Sequence, residues 1–130
     1  MKISTKGRYA LRMLIDLAMH QNDGYIALKD IAARQNISKK YLEQIMPILN
    51  KADVLLTNRG FQGGYRLART PDQYTVGEIL RITEGSLAPV ACVSDGDCKN
   101  APSCKTYVLW KELDDVIEDF LSSKTLADIL

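Results

Sequence analysis

With 130 residues, 46% hydrophobic and 25% charged, the chain has the size and composition of one small globular domain or a domain with an appendage, which excludes disordered and collagen-like classes. Its formal net charge of +1 hides two opposed halves: residues 1–70 carry 12 Lys and Arg against 5 Asp and Glu, a balance of +7, and residues 71–130 carry 5 against 11, a balance of −6. No run approaches the ~18 apolar residues of a membrane span, and the basic opening runs into Arg12 and Asp16 rather than a signal-peptide core, so a cytosolic (cytoplasmic) chain with no membrane partner is expected.

Residues 8–20 predict a helix, because Tyr9, Leu11, Met13, Leu14, Ile15, Leu17 and Ala18 are too densely apolar for a surface element, and Ser4 or Thr5 can cap it. After an Asn22-Asp23-Gly24 turn, Leu28, Ile31 and Ala32 give a short amphipathic helix ending near Asn36, a residue suited to a left-handed terminus. Ser38 is a good N-cap for the next helix, which buries Leu42, Ile45 and Leu49 and is expected to kink or end at Pro47, leaving residues 48–51 as a last turn. Residues 54–59 and 65–68 are strand-like runs around a Gly-rich connection, the pattern of a β-hairpin. Two short helices with a tight turn and then a hairpin form the winged helix-turn-helix plan.

Thr75-Val76-Gly77-Glu78 is a capping box opening a helix that Gly85 closes. Residues 86–103 read as a loop. A longer helix follows over about 104–122, with an apolar stripe of Leu109, Leu113, Val116, Ile117, Phe120 and Leu121 opposite an acidic face, and Thr125 to Asp128 repeats the capping pattern. The stripe is wider than one small domain needs to cover, so Leu109, Leu113, Val116, Ile117 and Phe120 are expected to form a homodimer contact. The fold class is mainly α with a small hairpin wing: a winged helix-turn-helix DNA-binding domain over 1–74, then a loop and long C-terminal dimerisation helix over 75–130.

The basic half suits double-stranded DNA, and a dimer suits a palindromic operator. A recognition helix in the major groove would offer Ser38, Lys39, Lys40, Tyr41, Glu43 and Gln44 at its N-terminal end. Gln44 can pair with adenine, Glu43 can accept from cytosine, and Lys39 and Lys40 suit phosphate or guanine. Arg59 beside Gly60 at the hairpin tip suits a narrow minor groove, while Lys2, Lys6 and Arg8 can neutralise flanking phosphates. A carboxylate near DNA is repelled unless a base amine satisfies it, so Glu43 is expected to govern sequence discrimination rather than affinity.

Cys92, Cys98 and Cys104 are spaced Cys-x5-Cys-x5-Cys. Three soft ligands so close suit a metal or an iron–sulfur cluster, with a reversible thiol switch as the alternative. An enzyme is not expected: one histidine, His20, read as a surface residue, supports no Ser/His/Asp set, and there is no Gly-rich phosphate loop.

Lys2-Ile3-Ser4-Thr5-Lys6-Gly7-Arg8-Tyr9-Ala10, Tyr41-Leu42-Glu43-Gln44, Arg59-Gly60, Gly63-Gly64-Tyr65, the three cysteines and Leu109-Trp110 together resemble the IscR-like (Rrf-type) bacterial winged-helix regulators nearly end to end. The resemblance implies a homodimer on a palindromic promoter site, with Tyr41, Glu43, Gln44 and Arg59 facing DNA. It also implies Cys92, Cys98 and Cys104 as ligands of an iron–sulfur cluster, two-iron in preference to four-iron. IscR proper takes its fourth ligand from a histidine three residues after the third cysteine, where this chain has Tyr107. The fourth ligand is therefore open among Tyr107, Asp95 or Asp97, a group from the other subunit, and an exchangeable small molecule. Relatives without that histidine include some that use a partner carboxylate or respond to nitric oxide, and some without a cluster. The chain thus reads as a transcription regulator sensing cluster status, redox state or nitric oxide. The alternative is a cluster-free regulator of sulfur or cysteine metabolism, controlled by a protein partner or by thiol oxidation.

Overall fold

The computed structural model describes every residue except Met1, Gln62, Asp95 and Asp97. Helix α1 spans Thr5–Met19, with Ser4 as its N-cap accepting a hydrogen bond from the Gly7 amide. Helices α2 (Leu28–Gln35) and α3 (Lys39–Lys51) follow, then strands β1 (Leu55–Asn58) and β2 (Gly64–Leu67), then α4 (Val76–Glu84). A single-turn α5 (Ala91–Ser94) and the long α6 (Tyr107–Ser123) complete the α-helices among the described residues. The strands pair antiparallel, Leu55 opposite Leu67 and Asn58 opposite Gly64, and Ile26 bridges to Tyr65 along the free side of β2. The mainly helical class with a hairpin wing is as the sequence predicts.

One core joins α1, α2, α3, the base of the hairpin and α4. Met13, Leu14, Ile31, Leu42, Leu49, Val54 and Ile79 are fully inaccessible within it. Each fully buried Leu or Ile contributes about 1.5–3 kcal/mol, so removing any of these methyl-rich side chains would be felt. Tyr74, also fully buried, fixes the hairpin to α4: its hydroxyl donates to the Val54 carbonyl at 2.7 Å and accepts from the Arg69 amide at 2.9 Å. The Arg69 guanidinium stacks 4.1 Å over the Tyr74 ring and grips Glu78 with two hydrogen bonds.

Four details differ from the sequence reading. Of the kink or helix end expected at Pro47, the end does not occur, because helix α3 continues through it to Lys51. Pro47 and Glu43, whose carbonyl would have received the missing amide, are both exposed, so that carbonyl can turn to water. Residues 91–94 form the helical turn α5 inside the expected loop, and α6 starts at Tyr107 rather than near 104. His20 is half-buried, its Nδ1 at 2.8 Å from the Asp16 carbonyl oxygen and 3.8 Å from the Asp16 carboxylate.

Asp16 is the buried charged side chain of this core. Arg34 donates to both its oxygens, at 2.6 and 3.0 Å, and Gln35 donates at 3.1 Å. Burial pushes its carboxyl up, but the hydrogen bonds from Arg34 and Gln35 and the charges of Arg34 and His20 outweigh that and hold it below its ordinary value. A carboxyl depressed in the folded chain stabilises the fold above its unfolded pKa of about 3.9, and that contribution disappears as pH falls. Wild-type stability should therefore drop more steeply below about pH 4 than that of Asp16→Asn, which should itself be about 2 kcal/mol less stable at neutral pH. Urea titrations at a series of pH values test this, and parallel pH curves for the two proteins would refute it.

Candidate nucleic-acid interface and cysteine loop

The turn between α2 and α3 is built locally. Asn36 takes the left-handed conformation, φ 53° and ψ 47°, and its amide reaches back to Ala32 and Ala33. Ser38 then caps α3, its hydroxyl accepting from the Tyr41 amide at 3.0 Å. Burial of Leu42, Ile45, Met46 and Leu49 turns the opposite face out. Ser38, Lys39, Lys40, Glu43 and Gln44 are all exposed on it, and Tyr41 is half-buried. Tyr41 leans edge-on against Tyr9 of α1, ring centroids 5.4 Å apart, which brings the start of α1 beside the start of α3. Lys39 and Glu43 form an exposed i,i+4 ion pair at 3.8 Å, so Glu43 already has a cationic neighbour.

The hairpin carries Arg59 and Gly60 at its exposed tip. Gly60 has φ 121°, a conformation that side-chain-bearing residues rarely adopt, and its carbonyl receives the Gly63 amide at 2.9 Å. Thr57 donates to Asn50 of α3 at 3.0 Å, fixing the wing to the third helix. Phe61 at the same tip is fully exposed, two positions from Arg59. The sequence reading missed it, although an aromatic residue inside a Gly-rich connection has no core to enter and is itself the signal.

On α6 the expected stripe splits. Leu109, Leu113, Val116 and Phe120 are exposed, whereas Ile117 and Leu121 are half-buried, with Ile3, Leu80, Val116 and Phe120 lining an apolar groove alongside them. The exposed four recur at spacings of four, three and four residues, the heptad rhythm of a helix–helix seam.

Cys92 lies on α5, Cys98 between α5 and α6, and Cys104 just ahead of α6; all three are free and half-buried. Cys104 sits 3.3 Å from the Thr106 hydroxyl. That hydroxyl, with the Thr106 and Tyr107 amides, pulls the thiol below its ordinary value, which favours the thiolate that soft metals bind. Among the described residues, no three His, Cys, Asp or Glu side chains are drawn close enough to hold a metal ion. Tyr107 is half-buried at the first position of α6, and Asp95 and Asp97 lie outside the described residues. The donor chemistry therefore fits an iron–sulfur group, while the three thiols are not gathered into a ligand set. No helix among the described residues is long and apolar enough to cross a membrane.

A capped, outward-facing third helix tied to an antiparallel wing defines a winged-helix fold, and the family match makes the chain a DNA-binding transcription regulator rather than an enzyme. Residues 3–130 match the Rrf2 family, described as iron-dependent transcriptional regulators, and the chain belongs to that family. It is 37% identical to the HTH-type transcriptional regulator IscR of Vibrio campbellii, over 100% of this chain and 77% of that protein. Among solved structures it is similar to CymR, the global cysteine regulator of B. subtilis: 40% identity, TM-score 0.84, covering 99% of this chain and 95% of that one. It is also similar to T. potens IscR: 41% identity, TM-score 0.76, covering 99% and 85%.

Proposed function

We propose that this regulator binds a palindromic operator as a homodimer and senses cluster status, redox state or nitric oxide through an iron–sulfur group held by Cys92, Cys98 and Cys104. The observation that carries the DNA part is the exposed, Ser38-capped start of α3, on a helix whose far end is tied to the wing through Asn50 and Thr57. An α-helix fills the major groove, about 12 Å wide, and its free N-terminal amides favour a phosphate. Gln44 then pairs with adenine and Glu43 accepts from cytosine, while Lys39, Lys40 and Tyr41 contact guanine or the backbone. Arg59, freed from the sheet at Gly60, enters the minor groove. Two copies joined through Leu109, Leu113, Val116, Ile117 and Phe120 present two such helices to the two half-sites.

The sensing part is supported by the donor chemistry of the thiols and by likeness to proteins named IscR. A two-iron cluster would be held by the three cysteines and a fourth ligand not yet assigned, and when bound it would supply one-electron redox chemistry open to oxidants. The chain's own part is to present three half-exposed thiols next to the start of α6, on a segment rooted at the end of α4. A second reading, cluster-free regulation of sulfur or cysteine metabolism, is favoured by the likeness to a cysteine regulator. In that case the thiols respond directly to oxidation, or a protein partner controls the chain.

Three measurements test these readings. Anaerobic reconstitution should give protein with iron and inorganic sulfide and a visible absorbance, and Cys98→Ser should abolish both; a colourless, iron-free wild type would leave the second reading standing. Lys40→Ala should make log affinity against log salt shallower by about one unit, whereas Glu43→Ala should redistribute sequence preference with little change in mean affinity. Uniform weakening on all duplexes by Glu43→Ala would remove its discriminating role. Val116→Asp should convert a dimer to a monomer in light scattering, and an unchanged mass would show that this face is not the contact.

A further inference from the structure

The start of α1 and the end of α4 are joined by one carboxylate. Glu84 is the last residue of α4, and its Oε1 accepts from the Ser4 amide at 3.0 Å and from the Ser4 hydroxyl at 2.6 Å. Ser4 is the N-cap of α1, so the carboxylate holds the cap itself, at the helix end whose dipole favours negative charge. Immediately after Glu84 the chain turns at Gly85, φ 81°, into the segment that carries the cysteines. The root of that segment stays on the same spot: Leu87 is buried with Val76 and Leu80, and Ile3 packs against them. Lys2, Ile3, Glu84 and Leu87 line one small cleft.

Gly7 shows how closely the two helices meet. A Cβ there would run into Glu84 Oε1 and lie 3.2 Å from the Leu80 and Thr83 side chains. Lys2, Lys6 and Arg8 are exposed around this junction, on the stretch of chain leading to Tyr9 and its contact with Tyr41. The basic N-terminal segment is therefore seated against the root of the cysteine loop at one end and against the recognition helix at the other.

We infer that Glu84 is a positioning residue for DNA binding, which holds Lys2 and Lys6 in place to meet the backbone phosphates flanking the site. It touches no DNA and acts through Ser4. The inference rests on the DNA-binding reading of the basic N-terminal half. A shift of the loop root would move the same carboxylate, so the cysteine segment has a short mechanical path to the phosphate contacts.

The test uses the full chain and a fluorescent duplex that wild type has selected from a random-sequence pool, with binding followed by anisotropy across a salt series. Glu84→Ala should weaken binding about tenfold and make the salt slope shallower by about two units, and the double variant Lys2→Ala/Lys6→Ala should do the same. Glu84→Gln keeps an acceptor for both Ser4 groups and should stay within about threefold of wild type with the wild-type slope. Gly7→Ala displaces the carboxylate without removing it, so it should follow Glu84→Ala, and it provides the same reading if Glu84→Ala fails to fold. An unchanged slope in Glu84→Ala or Gly7→Ala, or in the double lysine variant, overturns the proposal. Lys40→Ala in the same assay separates the two levels: if it flattens the slope while the Glu84 and Gly7 variants do not, the interface stands and the positioning role falls.

Discussion

The winged-helix half depends on a carboxylate buried where carboxylates are costly. Asp16 lies on the inner face of α1, and Arg34 and Gln35 come to it from the last turn of α2. An unpaired charge there would be strongly destabilising, so α2 must dock with that turn over Asp16. Apolar packing alone tolerates small rotations and slips between helices, whereas two fork-like hydrogen bonds from one guanidinium do not. Arg34 and Gln35 sit directly before Asn36, which sets the direction of α3. The angle at which α3 leaves the core is thus anchored one turn upstream of it. Arg12 adds a further tie by donating to the Gln35 side chain at 3.3 Å.

The wing is held in the same spirit, through Tyr74, Arg69 and Glu78 at its base and the Thr57–Asn50 contact along α3. Against this over-determined half stands the cysteine segment. Leu87 is buried, but no described residue from Ala88 to Thr106 is. A segment with few buried apolar contacts opens at low free energy. The contrast is physical: a winged-helix half with its shape fixed by buried polar ties, and a loosely packed cysteine segment rooted at α4.

What was legible in the sequence was what local rules determine. Ser38, Asn36 and the Thr75–Glu78 box each act within four residues, and their chemistry announces the helix ends at which they stand. The exposure of Lys39, Lys40, Glu43 and Gln44 followed from the period of Leu42, Ile45 and Leu49. What was not legible is non-local. Asp16 reads in the sequence as a break in an apolar run, and only its partners 18 and 19 positions away turn it into an anchor. Glu84 likewise meets Ser4 across 80 positions. Pro47 shows the limit of a local rule, because the lost hydrogen bond matters less where the freed carbonyl faces solvent. The three cysteines announced a ligand class through their type, but their spacing does not say how the loop between them folds.

The opposed charges of the two halves bear on how two copies would meet. Part of the negative charge is spent inside the fold: Glu84 on Ser4, Glu78 on Arg69 and Glu118 on Arg81. On α6, Lys111 neutralises some of the remainder by pairing with Asp115 at 2.8 Å and Asp114 at 4.0 Å. Glu112 and Asp119 remain exposed beside the apolar row of Leu109, Leu113, Val116 and Phe120, which itself contains no charge. In the proposed dimer two such rows meet with acids on their flanks. Apolar burial along the seam would supply the attraction, and like-charge repulsion at the edges would disfavour slipped registers that bring acid against acid. The same acids would repel the phosphate backbone, so a duplex would be directed to the basic faces and away from the seam that holds them together.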